Sequence, residues 1–486
     1  MSGVRSSLFL SFIDKYSVLL ITIVTTMILA RRLTPVETGV YTVAWSLINI
    51  AQALRDFGIF SYIVQEKELT RERLATALTI SLSLGVFLTF AFAASADTIA
   101  HFYGDPRMRV LVHILSFNFL LVSFASVGTA LLQRAMSFHV MMRINIASAL
   151  VNAVTSVGLV YAGLGPIALA WSSLCGIIVV TFCNLLYLRR QIFLRPTFVA
   201  WRRIAAFGIL SSGAALMNTM SSRVAELTIG RLLGLEAAGL FSRGSGLITL
   251  FQQAFMNAIM PVTGAELSRR HRDNQNLSSA ALEGISYLTG VGWPFLVMLG
   301  LMAHPVIVIF YGEQWIPAIP IAQILCFAAA ASIMGNLAIV LFNAIGAVRQ
   351  NFLTQVVTLP IYVIAVVLGS LIDLRVAAFG VVIASLSTAY WALAALNRKL
   401  GTSWQDILRV VARSAVVTAA TAIVPTIMVL NWGFSDGKLW PVTIMSVAGG
   451  TVFWVGAIAA VDHPLWKQLL AAYDMLYAKM ANAVGS

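Results

Sequence analysis

Six charged side chains interrupt stretches that are otherwise apolar enough to lie in lipid: Asp14, Lys15, Arg55, Asp56, Arg223 and Glu226. A charge at the bilayer centre costs roughly 2.5–3.5 kcal/mol on the insertion scale, so such residues face an interior or a pathway. At 1.5 Å of rise per residue, Lys15 lies about 10 Å from one end of its stretch and Arg223 about 12 Å from the opposite end of its own. Arg55 is set deeper than Lys15, and the three form cationic steps across the membrane. Unpaired cations in a dry cavity suit a multivalent anion such as a pyrophosphate, to which arginine offers bidentate bonds. Lys15, Arg55 and Arg223 are therefore the candidate anion-binding residues. A carboxyl taken out of water holds a proton or sodium ion more readily, which makes Asp14, Asp56 and Glu226 the candidate ion-coupling sites or charge partners. Arg223 and Glu226, three apart, can pair on one helical face; Arg55 and Asp56, adjacent and about 100° apart, are expected not to pair.

Polar stripes run beside these charges. Ser11, Lys15, Thr22 and Thr26 share one helical face, Thr42, Asn49, Gln52 and Asp56 a second, Ser211, Asn218, Ser222 and Glu226 a third, and Ser242, Thr249 and Gln252 a fourth. Unsatisfied amides are costly in lipid, so these faces are expected to look inward. Asn49, Gln52, Asn218, Ser222 and Gln252 are the expected lining of a central cavity between helices 1, 2, 7 and 8. The competing expectation is that the same residues only bond neighbouring helices.

The elements that position these residues follow from composition and repetition. With 59% hydrophobic and 10% charged residues in 486, the chain has far more apolar surface than a soluble core needs, which indicates an all-α polytopic membrane protein. Its apolar runs predict fourteen transmembrane helices, at 8–30, 40–64, 74–96, 108–133, 144–161, 166–188, 204–230, 240–265, 280–303, 318–345, 352–372, 377–397, 414–431 and 441–461. Arg31, Leu33 and Gly39 recur as Arg231, Leu233 and Gly239, and Phe102-Tyr103-Gly104-Asp105 recurs as Phe310-Tyr311-Gly312-Glu313. Two matched loops at nearly one offset indicate duplication, and halves repeated in a membrane chain place a substrate path at their interface.

The predicted organisation is two pseudo-symmetric six-helix lobes plus a C-terminal helix pair. The N-terminal lobe is 1–188, a basic cytoplasmic linker 189–203, the C-terminal lobe 204–397, a second linker with helices 13 and 14 398–461, and a cytoplasmic amphipathic tail 462–486. Six helices per lobe make the repeat parallel, about an axis along the membrane normal. The loops on the side of the termini hold 21 lysines and arginines and the opposite loops 8, which sets both termini inside. The linkers 189–203 and 397–413 are expected along the inner leaflet, where each cation near anionic lipid contributes about 1 kcal/mol.

Several classes are disfavoured. The net charge of +13 is spread over many short loops, with no basic domain to hold nucleic acid. Asp14 and Lys15 break the first apolar run and no small-residue cleavage site follows, so that run reads as a retained helix rather than a signal peptide. Cys175, Cys183 and Cys326 lie inside apolar runs as small buried hydrophobes. No aspartate pair, zinc-spaced His/Glu cluster or glycine-rich phosphate loop is visible, and the six histidines are isolated; no catalytic residue, metal or cofactor is expected beyond proton or sodium coupling.

The loop Ala30-Arg31-Arg32-Leu33-Thr34-Pro35 with Gly39, Asp56-Phe57-Gly58 ahead of Gln65, Leu131-Leu132-Gln133-Arg134 with Phe138, and Phe310-Tyr311-Gly312-Glu313-Gln314-Trp315 together resemble the Wzx-type polysaccharide flippases of the multidrug/oligosaccharidyl-lipid/polysaccharide exporter superfamily. The resemblance covers nearly the whole chain. It implies a bacterial inner-membrane protein that moves an undecaprenyl-pyrophosphate-linked oligosaccharide from the inner to the outer leaflet by alternating access, for exopolysaccharide, capsule or lipopolysaccharide assembly. It leaves room for contact with polysaccharide polymerase machinery and transfers no role to Lys15, Arg55 or Arg223. An ion-coupled exporter of small cations, from a sister branch, is the second expectation, since the six cavity charges balance three against three. A membrane glycosyl polymerase or ligase is the third, and the repeat and short outer loops argue against it.

Overall fold

A computed structural model describes residues 2–188, 195–273, 277–344, 347–434, 439–468 and 470. It is all-helical among those residues. The chain forms α1 (Ser2–Ala30), α2 (Pro35–Asp56), α3 (Ile59–Gln65), α4 (Arg71–Tyr103), α5 (Arg107–Arg134), α6 (Phe138–Tyr161), α7 (Ile167–Tyr187) and α8 (Trp201–Leu232). It continues with α9 (Leu235–Arg272), α10 (Leu277–Leu301), α11 (Ala303–Tyr311), a 3-10 turn (Glu313–Ala318), α12 (Ile319–Ala344), α13 (Val348–Ser370), α14 (Leu374–Leu400), α15 (Trp404–Trp432) and α16 (Leu439–Ala460).

Each predicted segment lies on a helix, with differences that have local causes. α2 starts at Pro35, five residues before the expected start, because Thr34 and Glu37 close a capping box and Pro35 occupies a first-turn position whose N–H is not needed. The expected helix 40–64 is broken: Phe57 (φ 38°) and Gly58 (φ 63°) are left-handed and separate α2 from α3. In the stretch 397–413, helix runs in from both sides and leaves only Gly401–Ser403, with the Ser403 hydroxyl accepting the Asp406 N–H at 3.1 Å. Residues 189–194 of the first linker and 471–486 of the expected tail lie outside the described residues.

Eleven helical stretches among the described residues are long and apolar enough to cross a membrane. α2, α8 and α9 are not in that set, and these three carry Arg55 and Asp56, Arg223 and Glu226, and Gln252.

By contacts the chain divides into two units. The first is 1–242 with 310–315 and 370–374; the second is 243–309, 316–369 and 375–486. In the first, α1 packs on α6, α4 on α5, and α7 on both α5 and α6, while α2 lies against α5 and α8. In the second, α10 packs against α12 and α15, and α15 against α16. His463 is fully buried there: its Nε2 lies 3.2 Å from Ser286 Oγ on α10 and 3.2 Å from Ser414 Oγ on α15, and its Nδ1 accepts the Leu465 N–H. It is a packing residue joining two helices.

The duplicated stretches meet inside the first unit. A Cβ on Gly39 would lie 1.7 Å from the Leu235 carbonyl oxygen, and one on Gly239 would lie 2.0 Å from that of Pro35. Each would also sit 3.0 Å from the other glycine's nitrogen, and Thr42 Oγ1 donates to Ser242 Oγ at 3.1 Å. Residue pairs at one offset of 200 thus touch reciprocally, as a local two-fold relation requires. Only glycine permits backbones this close, which explains why it stands at both positions.

The loops at this end also exchange partners. Arg231 lies over the Phe102 ring at 4.5 Å, while Arg31 lies beside Gly312, and Trp315 donates its Nε1–H to the Ala30 carbonyl at 2.7 Å. This end of the unit is termed the crossing pole. The opposite end, with residues 63–73, 134 and 195–203, is the arginine pole.

Candidate functional site

α2 and α8 are the two helices on which the candidate charges meet. Near the middle of α2, Ser46 donates its hydroxyl to Glu226 Oε2 of α8, and Arg223 Nη1 approaches the same oxygen at 3.3 Å. Glu226 is buried, whereas about a third of the Arg223 side chain is exposed. One carboxylate oxygen therefore has two donors, one from each helix. The exposed part of the Arg223 guanidinium is open to further chemistry.

Nine residues along α2, roughly 14 Å at 1.5 Å per residue, Arg55 occupies the last turn before the helix breaks. Its Nη2 lies 2.7 Å from Asp56 Oδ1, so the adjacent pair does form, against the sequence expectation. The 100° separation of neighbours holds inside a helix. Here the helix ends at Asp56, and the long arginine side chain reaches across the terminus to its neighbour. Arg55 is only 1% exposed while Asp56 is 49% exposed. Nε and Nη1 of Arg55 are buried with no hydrogen-bond partner among the described residues. Nε and Nη1 leave the guanidinium from different edges, and Nη2, the nitrogen common to both of its forks, is held by Asp56; the unspent donors are therefore two separate single sites on one buried cation, each suited to an oxyanion oxygen.

The break after Arg55 is held by α8. A Cβ on Gly208 would lie 2.5 Å from the Phe57 carbonyl oxygen, so α8 passes directly over the left-handed turn. A discontinuous helix beside a charged residue is a recurrent way of building a site at membrane depth, because the break exposes backbone groups that only a cavity or neighbouring protein can satisfy.

Asp14 is engaged elsewhere. Asn145 of α6 donates to its Oδ2 at 2.9 Å, following the packing of α1 on α6, and its Oδ1 is buried without a partner among the described residues. Lys15 is exposed, and no described contact joins it to Arg55 or Arg223. Asn49 donates to the Trp45 carbonyl of its own helix at 2.7 Å, and Ser222 to that of Thr219 at 2.8 Å. Asn218 is exposed and Gln52 half-buried; Gln252 is half-buried in the second unit. Ser211 lies among residues whose side chains are outside the described set.

The charged site residues thus fall into three groups, Arg223 with Glu226, Arg55 with Asp56, and Asp14 of α1 with Asn145 of α6, with Lys15 outside them. Two partners were not foreseen, Ser46 and Asn145. Ser46 sits one turn after Thr42 on the polar stripe of α2, and that spacing was the only available signal. Among the described residues no cluster of histidine, cysteine, aspartate and glutamate could hold a metal ion.

An all-helical chain with paired, broken and charged helices of this kind defines a class of membrane transporter folds. Its fold is shared with the lipid II flippase MurJ in an inward closed conformation (TM-score 0.74, 12% identity, covering 96% of this chain and 100% of that one). A multidrug resistance MATE family transporter of the MOP superfamily, inward-facing, is also similar (TM-score 0.68, 16% identity, covering 80% and 98%).

The chain belongs to the polysaccharide biosynthesis protein family, which matches residues 28–320. It is 24% identical over 348 residues to the lipopolysaccharide biosynthesis protein WzxC of Escherichia coli (strain K12), covering 70% of each chain. It is 26% identical over 308 residues to the succinoglycan biosynthesis transport protein ExoT of Rhizobium meliloti (strain 1021), covering 62% of this chain and 61% of ExoT. The family resemblance read from the short loop motifs is borne out.

Proposed function

We propose that the chain is a flippase, a transporter and not an enzyme, that moves an undecaprenyl-pyrophosphate-linked oligosaccharide from the inner to the outer leaflet of a bacterial inner membrane. The observation that carries this reading is Arg55, buried at a helix break with two donors unspent. A buried guanidinium with two separate donors unspent gains from an anion with several oxygens, which a pyrophosphate offers and an organic cation does not. Membership of the polysaccharide biosynthesis family and the names of its relatives support the sugar-linked cargo; the MurJ likeness supports the fold.

In this reading α2, α8 and α9 also cross the membrane, giving fourteen crossings in two six-helix lobes and a C-terminal pair. Both termini are cytoplasmic, the crossing pole faces out and the arginine pole faces the cytoplasm. The head group is handed between Arg55 and Arg223 along α2 and α8 while the isoprenoid tail stays in lipid. When its phosphate takes the Arg223 guanidinium, Glu226 loses that partner and is free to bind a proton or sodium ion, with Ser46 holding the carboxylate in place. Asp56 and Asp14 are further ion sites, and Lys15 is a peripheral cation.

The test is reconstitution in liposomes with a labelled isoprenoid-pyrophosphate oligosaccharide, following access of its sugar to an impermeant reagent on the opposite face. Protein-dependent movement that is lost for a pyrophosphate-free analogue and in Arg55→Ala is the expected result. Equal movement of the analogue, or full activity in Arg55→Ala, would overturn the role of the anion. The MATE likeness, being one of fold, leaves an organic-cation exporter as the outcome if no lipid moves and a cation does.

A further inference from the structure

At the arginine pole, Thr70, Glu72 and Arg73 at the start of α4 and residues 199–203 at the start of α8 line an open cleft of about 650 Å³. Neither Arg55 nor Arg223 is among its lining residues. Its walls include Glu72, Arg73, Val199, Trp201, Arg202 and Arg203. The pocket is built rather than incidental. The Thr197 and Ala200 N–H groups donate to the hydroxyls of Thr79 and Thr76, at 3.1 and 3.4 Å, fastening the 198–203 segment to α4. Arg134, at the end of α5, donates to the carbonyls of Ile63 at 2.9 Å and Lys67 at 3.2 Å and anchors the loop that leads into the opposite wall.

The charge there is in excess. Arg73 and Arg203 reach one and the same oxygen, Glu66 Oε1, at 3.2 and 3.0 Å. Two guanidinium groups thus share one carboxylate oxygen, and each keeps donors to spare. Arg202 lies 5.7 Å from the centroid of the Trp201 ring, and no carboxylate among the described residues meets it. Three arginines face two acids, Glu66 and Glu72. Beside them, Phe198, Val199 and Trp201 are 54%, 77% and 50% exposed, an apolar ridge at the end of a bundle of apolar helices.

A cationic pocket edged by exposed aromatic and aliphatic side chains at the end of membrane-spanning helices matches both parts of a lipid at once. An inorganic phosphate would use the arginines and leave the ridge in water. A zwitterionic lipid would use the ridge and bring no net charge. We propose that this pocket binds the head group of an anionic glycerophospholipid, with its phosphate on Arg202 and Arg203 and its acyl chains along Phe198, Val199 and Trp201. The site tethers the entry to α8 to the leaflet surface.

The test uses the full-length protein in detergent, with phosphatidylglycerol, phosphatidylcholine and inorganic phosphate as probes, read by mass-resolved retention of bound lipid and by the lipid-dependent rise in Tm. Phosphatidylglycerol is expected to be retained and to raise Tm, phosphatidylcholine to do neither, and millimolar phosphate not to displace the lipid. Arg202→Gln should weaken retention about fivefold, and Arg202→Gln with Arg203→Gln about 25-fold, at about fivefold per cation. If the double variant fails to fold, Val199→Ser with Phe198→Ser, both exposed, should lower retention while leaving the apo Tm unchanged. Equal retention of the two lipids, full displacement by phosphate, or wild-type retention in both Arg202→Gln and the apolar variant would overturn the proposal.

Discussion

The two poles of the first unit are held together by opposite kinds of interaction. At the crossing pole, α2 and the start of α9 meet backbone to backbone, with Gly39 and Gly239 each facing the other repeat's carbonyl at a distance that excludes even a methyl group. At the arginine pole the joints are polar, hydrogen bonds to α4 and from Arg134 together with ion pairs of Arg203 and Arg73 on Glu66, with Arg203 60% exposed. Close packing has no substitute when it is lost, because the neighbouring backbone cannot withdraw. Ion pairs near water do, since solvent, lipid or a bound anion can take over either partner. The close contact joins α2 to α9 and the ion pairs join the loop after α3 to α4 and α8, so the unit has one end set by packing and one end whose joints can be exchanged.

The largest predicted effects test the fixed end. Gly239→Leu or Gly39→Val places carbon atoms within 2 Å of a backbone carbonyl oxygen, and overpacking without room to relax costs about 3 kcal/mol or more. The expected outcome is loss of folded protein from the membrane fraction and from size exclusion in detergent. Wild-type yield and Tm in either variant would show that the poles do not differ in this way. Second comes Arg55→Met, which keeps volume but removes two unpartnered buried donors. It should leave Tm unchanged or raise it, as leaving such groups unsatisfied costs roughly 1–3 kcal/mol, while abolishing flipping in the liposome assay. A fall in both would make Arg55 a structural residue.

The duplication was legible because its carriers were residues that only one geometry tolerates: Gly39 and Gly239 stand out at a fixed offset, whereas the apolar positions around them do not. That the two glycines touch each other was not legible, since an offset records equivalence and not contact. The break at Phe57–Gly58 escaped because a left-handed phenylalanine has no sequence signature and Gly58 inside an apolar run reads as a tolerated helix residue. The earlier start of α2 was readable in Thr34 and Glu37, a capping-box spacing. Ser46 escaped for a different reason. A serine in a helix usually bonds its own backbone, as Ser222 and Thr249 do here, and its actual partner is 180 residues away.

Between the fixed and exchangeable ends, the Ser46–Glu226–Arg223 group should respond in an intermediate way. Ser46→Ala leaves Glu226 with Arg223 alone; a hydrogen bond to a charged group contributes about 1.5–3 kcal/mol. Transport should fall severalfold with expression maintained, and Arg223→Ala with Ser46→Ala should lose less than the sum of the singles, because the two act on one oxygen. Full additivity would mean that the α2 and α8 donors work separately.

The smallest effects come from ion pairs, and the most informative lies at the wrong pole for a strict division. Asp105, in the loop after α4, accepts the Arg107 backbone N–H at 2.8 Å and its side chain at 3.1 Å to Nε and 2.7 Å to Nη2. The Arg107 hydrogen bonds hold the Asp105 carboxyl below its ordinary value of 3.8 against the opposing effect of burial. A carboxyl whose folded pKa is lowered stabilises the fold above its unfolded pKa, and that contribution is lost as pH falls through the folded value. Arg107 is 39% exposed, so solvent screening keeps the whole effect under about 1 kcal/mol. Asp105→Asn should therefore lower Tm slightly near neutral pH and flatten its decline in acid, while Glu66→Gln at the arginine pole should produce a change of similar size. If Asp105→Asn instead unfolds the protein, the crossing pole depends on charge as well as close packing, and the division between the two ends is one of degree.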